Sequence, residues 1–112
     1  MRAEMDVEKI TWKDGELAID PLGEIINLRN AKLQWGMATF PTGKRHPVEG
    51  MSRHAGLEIS LILEGAFSIE TESGIQRVDA NSIVTIPAGE GHATTALVNS
   101  RVFYLLLESE AK

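Results

Sequence analysis

The chain has 112 residues, enough for one small domain on the usual prior of roughly 100 to 200 residues per domain. Its 43% hydrophobic and 24% charged residues are those of an ordinary globular protein and give no support to a disordered, collagen-like or membrane-spanning class. Eleven Lys and Arg against sixteen Asp and Glu leave a net charge of −5, which repels a phosphate backbone and argues against nucleic acid as a partner. The absence of cysteine excludes disulfides, thiolate metal sites, iron–sulfur clusters and a thiol nucleophile.

Met1 to Glu8 carries Glu4, Asp6 and Glu8 and no apolar stretch of signal-peptide length, which predicts a cytoplasmic protein. Residues 1–22 read as an N-terminal arm with room for one short strand, and Pro21 and Gly23 punctuate the chain before the periodic part begins. Leu33, Trp35 and Met37 alternate with Lys32, Gln34 and Gly36, the period-two signature of a half-buried strand. A turn-rich loop runs from Pro41 to Gly56. In the next strand Leu57, Ile59, Leu61 and Leu63 face one way and Glu58, Ser60 and Ile62 the other, until Gly65 stops the run. Phe67 to Glu70 and Ile75 to Val78 predict a hairpin around Ser73-Gly74.

Ser82 to Ile86 and the threonine-rich His92 to Val98 predict two further strands, separated by the turn residues Pro87 and Gly89. Val102 to Leu107 closes the pattern and is far shorter than the roughly 20 residues that span a bilayer, so no membrane partner is expected. This strand is apolar on both faces. It must be covered twice, by a second sheet plus a subunit partner or by an arm folded over it, and a homodimer is predicted on that ground. About eight short strands at this turn spacing predict an all-β sandwich or jelly roll.

The only histidines are His46, His54 and His92. On a straight strand His54 and Glu58 would lie about 13 Å apart, too far to share an ion, so Ala55-Gly56 must bend the chain to bring them together. Pro87 to Gly91 can turn His92 back toward a cavity. If the strands near Glu58 and His92 are neighbours, two imidazoles and one carboxylate converge. That donor set suits iron, manganese, nickel or zinc and leaves coordination positions open.

Residues 43–99 resemble the two motif blocks of the cupin superfamily. In the first block His54, three residues, Glu58, six residues and Gly65 match the expected spacing, while Ser52 stands where the family's first histidine would be and His46 where its opening glycine would be. In the second, Pro87, Gly89 and His92 match, with Asn81 in place of the first glycine and Ala96 in place of the final asparagine. The resemblance implies a double-stranded β-helix, the jelly-roll cupin barrel, over residues 23–112 behind the arm of residues 1–22. It also implies that His54, Glu58 and His92 are metal ligands, with the fourth position left to water, His46, Glu49 or Ser52.

Arg45 and Arg53 are candidates to hold a substrate carboxylate. Ser60 and Thr94 share strand parity with Glu58 and His92 and are expected to line the same cavity, and Tyr104 is a candidate proton donor. The resulting expectations are an enzyme acting on a small organic acid or sugar-like molecule as an oxygenase, isomerase or lyase, or a non-catalytic sensor or storage module. A metal-free cupin in which His54 and Glu58 merely pair is the third reading.

Overall fold

The computed structural model describes Met5, residues 7–25 and residues 29–109; the remaining residues of the predicted arm lie outside it. Nine strands are found among the described residues: β1 (Ala18–Ile25), β2 (Ala31–Phe40), β3 (Arg45–His46), β4 (Leu57–Glu64), β5 (Ala66–Thr71), β6 (Gly74–Asp79), β7 (Ile83–Ile86), β8 (His92–Ala96) and β9 (Ser100–Ser109). They form two antiparallel sheets, β1-β2-β9-β4-β7 and β3-β8-β5-β6, so the expected all-β jelly roll is the observed architecture. Among the described residues no helix is long and apolar enough to cross a membrane.

β1 begins inside the segment read as an arm and runs past Leu22. Pro21 and Gly23, expected as punctuation, sit within this strand. An edge position leaves proline's missing N–H without cost to a ladder, and the register against β2 shifts between these two residues. The two-residue β3 lies in the segment read as one continuous loop and pairs Arg45 with Thr95 and His46 with Thr94. The hairpin between β5 and β6 turns through Glu72 and Ser73, one residue earlier than expected.

Strand alternation sorts the larger sheet into two faces. Inward lie Ala38 and Phe40 of β2, Ile62 of β4 and Val102 of β9, which meet Phe67 and Ile69 of β5 and Ala96 of β8 in one buried cluster. Phe67 is fully enclosed and meets Phe40 edge to face at 5.0 Å between ring centroids. On the outward face the register aligns three cross-strand rows: Leu33, Leu107 and Leu57; Trp35, Leu105 and Ile59; Met37, Phe103 and Leu61 with Ile83 beyond. One end of this face is covered by the segment before β1. Arg101 lies over the Trp12 ring at 5.1 Å and pairs with Asp14, while Lys13 pairs with Asp20 at 2.9 Å. Met37 and Thr39, at that end, are buried although they face outward.

Candidate metal centre

β4 carries Glu58 and Ser60 on its inward face, and β8 opens with His92. These strands belong to different sheets, so they are not the neighbours that the sequence reading supposed. Convergence takes place across the sandwich. Residues 52–54 and 89–92 are clasped together: Ser52 and His92 exchange both backbone hydrogen bonds at 2.8 and 3.0 Å, and the Gly89 N–H donates to the His54 carbonyl at 2.8 Å. Gly89 has φ +81°, which only glycine adopts cheaply, and so the Pro87-Ala88-Gly89 turn can present its N–H in this way. A bend at Ala55-Gly56 then carries the chain from His54 into β4.

The result is one tight group of donors. Glu58 Oε1 lies 3.1 Å from His54 Nε2 and 3.7 Å from His92 Nε2, the imidazole centroids are 5.2 Å apart, and one donor atom from each residue falls within 4.8 Å of the others. Donors about 2.1 Å from a common ion stand about 3.0–3.4 Å apart in octahedral or tetrahedral geometry; the 3.1 Å His54–Glu58 separation falls in that range and the 3.7 Å His92–Glu58 separation stands a few tenths of an ångström above it, near enough for a first-row divalent ion to draw the three donors together. The supporting contacts suit one as well. Ser60 Oγ donates to Glu58 Oε2 at 3.0 Å, which leaves Oε1 turned toward the histidines. His92 Nδ1 lies 3.3 Å from the Glu90 carbonyl; an oxygen that can only accept puts the proton on Nδ1 and leaves the Nε2 lone pair facing Glu58. The donor set therefore fits a metal ion on both inner and outer contacts.

The site forms part of the wall of a cavity of about 160 Å³. Most of the remaining wall is apolar and shares Phe40, Ile62, Phe67, Ile69 and Val102 with the core. Apolar cavities of about 150 Å³ hold a molecule the size of benzene, which sets the scale of any occupant.

No protein-family model matches the sequence, and no curated protein sequence does. Among solved structures, the chain is similar to a cupin superfamily protein from Desulfitobacterium hafniense, with TM-score 0.73 and 16% identity over 89% of this chain and 84% of that one. The fold is that of a cupin. An RmlC-like cupin from Desulfovibrio desulfuricans gives TM-score 0.68 at 16% identity over 95% of both chains. Salicylate 1,2-dioxygenase from Pseudaminobacter salicylatoxidans gives 0.60 at 12% identity, and the chain spans 66% of its own length but 20% of that enzyme's.

Within this cupin fold the other sequence-predicted residues divide cleanly. Ser60, Thr94 and Tyr104 line the cavity, as does His46. Burial pushes the His46 imidazole below its ordinary value, helped by the nearby His54 and His92 and opposed by Glu58, so His46 is held toward the neutral form. Ser52 contributes its backbone to the clasp and does not line the cavity, and Glu49 is exposed on the loop outside it.

Neither arginine lines the cavity. Arg53 donates to both oxygens of Glu72 at 3.0 and 2.9 Å and to the Gly89 carbonyl at 3.0 Å, and Arg45 donates to the Pro47 and Gly50 carbonyls. Loop carbonyls and surface carboxylates thus take the guanidinium groups that the sequence reading offered to a substrate. Their role in shaping the two loops left no signal in residue spacing.

Tyr104 reaches its place because Gly36 faces it across the β2–β9 ladder. A Cβ on Gly36 would collide with the phenol and come within 2.7 Å of the Asp20 carbonyl. Burial raises the Tyr104 hydroxyl above its ordinary value, with Asp20 and Glu58 adding to the effect, so it stays protonated and able to donate at neutral pH. Asn81, standing at a cupin glycine position, takes φ +68°, as its tolerance of the left-handed region allows.

Proposed function

We propose that the protein is a metal-dependent small-molecule cupin, in which His54, Glu58 and His92 hold a divalent ion such as iron, manganese, nickel or zinc. The observation that carries the reading is the meeting of two imidazole Nε2 atoms and one carboxylate oxygen in the wall of a largely apolar cavity. Three protein ligands are the number found at catalytic sites with open positions. When bound, such an ion supplies Lewis acidity to a substrate oxygen.

The chain's own groups have distinct parts in this proposal. Ser60 and the Glu90 carbonyl orient Glu58 and His92. Tyr104 donates a hydrogen bond or a proton from Oη to the bound molecule. Phe40, Ile62, Phe67 and Ile69 exclude water. Of the two substrate classes, a short-chain or single-ring organic acid suits this cavity better than a sugar, whose ring of hydroxyls needs more polar partners than Thr94, Tyr104 and His46 supply. The fold shared with salicylate 1,2-dioxygenase supports small-acid chemistry at the level of fold alone.

A sensor or storage module is the second reading. The observation that favours it is that Glu58 is the sole carboxylate among the described cavity-lining residues and no amine joins it, so proton relay would fall to Tyr104 and His46. Elemental analysis of protein purified without added metal, together with melting curves with and without added metal, tests the shared premise. Near-stoichiometric metal and a raised melting temperature are expected. Less than about a tenth of an equivalent and no rise would leave the metal-free reading, in which His54 and Glu58 simply pair. Metal-dependent turnover of small 2-oxo and aromatic acids is expected of the enzyme; binding of these acids without turnover would assign the sensor.

A further inference from the structure

A second cavity, of about 420 Å³, opens where β6 and β7 stand at the edges of their sheets. That volume lies within the roughly 300–1,000 Å³ usual for small-molecule sites. The cleft meets the inner cavity along Ile69, Val84 and Ile86, which line both. Its polar wall is its own. None of His54, Glu58 and His92 lines the cleft, and Glu90, which does, is absent from the wall of the inner cavity.

The polar side chains of this wall are Thr71, Ser73, Gln76, Thr85 and Glu90, and among the described residues no Lys, Arg or His joins them. Carboxylates on the flanking β5–β6 hairpin already have cations: Glu70 lies 3.7 Å from an Arg45 nitrogen, Glu72 is paired with Arg53 and Asp79 with Arg77. Glu90 has no such partner among the described residues. Its backbone is nevertheless pinned on both sides, because its N–H donates to the Pro87 carbonyl at 3.2 Å and its own carbonyl lies 3.3 Å from His92 Nδ1. A half-buried carboxylate thus projects from a fixed point. The Thr71 and Ser73 hydroxyls are held 3.0 Å apart by their own turn.

We infer that this cleft binds a small aliphatic amine as its ammonium ion, seated on Glu90. An ammonium group offers three donors and no acceptor, and this wall answers with one carboxylate, three hydroxyl oxygens and an amide oxygen. Ile75 and Ile83, 72% and 70% exposed, border the same space with Val78 and offer apolar ground to a short methylene chain. An anionic ligand would meet Glu90 with no basic group to offset it, and a neutral polyol would forgo the charge-assisted hydrogen bond. The net charge of −5 also favours the approach of a cation. The inference does not rest on the metal centre, whose donors lie outside the cleft.

Nuclear magnetic resonance titration of the full chain, at constant pH and ionic strength, tests it with 1,4-diaminobutane as the probe. Saturable shifts through the millimolar range are expected at the amides of Thr71, Gln76, Thr85 and Glu90. Succinate and 1,4-butanediol, of the same chain length but anionic and neutral, should give none. Glu90→Gln keeps the shape and the backbone contacts and should weaken diaminobutane binding at least about tenfold, while Glu108→Gln, remote on β9, leaves it unchanged. Several results would overturn the inference: no saturable shift with diaminobutane, equal shifts with butanediol, or an unchanged affinity in Glu90→Gln. Shifts centred on His54 and Glu58, with Gln76 and Thr85 unmoved, would also overturn it by assigning the amine to the metal centre.

Discussion

Ser60→Ala asks whether the cavity wall is built to hold an ion. Ser60 is 7% exposed, and its hydroxyl serves the Glu58 oxygen that faces away from the histidines. Removing it leaves a carboxylate that is 17% exposed short of a donor and free to rotate, so Oε1 is no longer held toward two Nε2 atoms. Outer hydrogen bonds of this kind are worth about 10- to 100-fold in metal affinity, or about 1.4–2.7 kcal/mol. In excess metal the same loss appears in the folded state's stability, because the ion stabilises by mass action. At about 4 °C per kcal/mol for a chain of this size, the metal-induced rise in Tm should shrink by about 5–11 °C. Titration calorimetry with zinc or manganese measures the affinity, and melting curves of metal-free and metal-loaded protein measure the shift. Equal affinities and equal metal-induced shifts in variant and parent would refute the argument that Ser60 holds Glu58 for a cation.

Other perturbations separate ligands, core and cavity. His54→Ala and His92→Ala should each remove the metal-induced rise in Tm altogether, and a rise surviving either change would move the ion elsewhere. Phe67→Ala empties a fully buried position beside Phe40 and should cost about 3–5 kcal/mol in urea unfolding. Tyr104→Phe should leave metal affinity intact and weaken binding of an oxygen-bearing ligand about threefold to tenfold, the worth of one hydrogen bond to a neutral donor. Arg45→Ala and Arg53→Ala should leave the affinity for a small carboxylic acid unchanged, because both guanidinium groups are engaged outside the cavity; a tenfold loss in either would return that arginine to the site.

The strands between Leu57 and Leu107 are legible in the sequence because their apolar residues alternate or run in short stretches that end at residues suited to turns. The alternation through Glu58, Ser60 and Ile62 even identifies the inward face of β4 correctly. Legibility fails where tertiary context overrides a local rule. β1 runs through Pro21 because it is an edge strand, and β3 is too short to show any period. The histidines and Glu58 are identifiable by spacing, yet the reason they meet is not: β4 and β8 lie in opposite sheets, and the backbone clasp between residues 52–54 and 89–92 is a long-range pairing that no local pattern encodes. Arg45 and Arg53 look available in sequence because their partners are loop carbonyls and a glutamate 19 residues away, all invisible to composition.

The side chains that enclose the ligand space are also the ones that keep the two sheets together. A sequence drifting toward a bulkier substrate would therefore have to trim Phe67, Phe40 or Ile62, and each trim would erode the very packing that lets the chain fold. Changes of specificity in this protein should come first at Thr94, His46 and Tyr104, which line the cavity without belonging to the buried apolar cluster that joins the sheets.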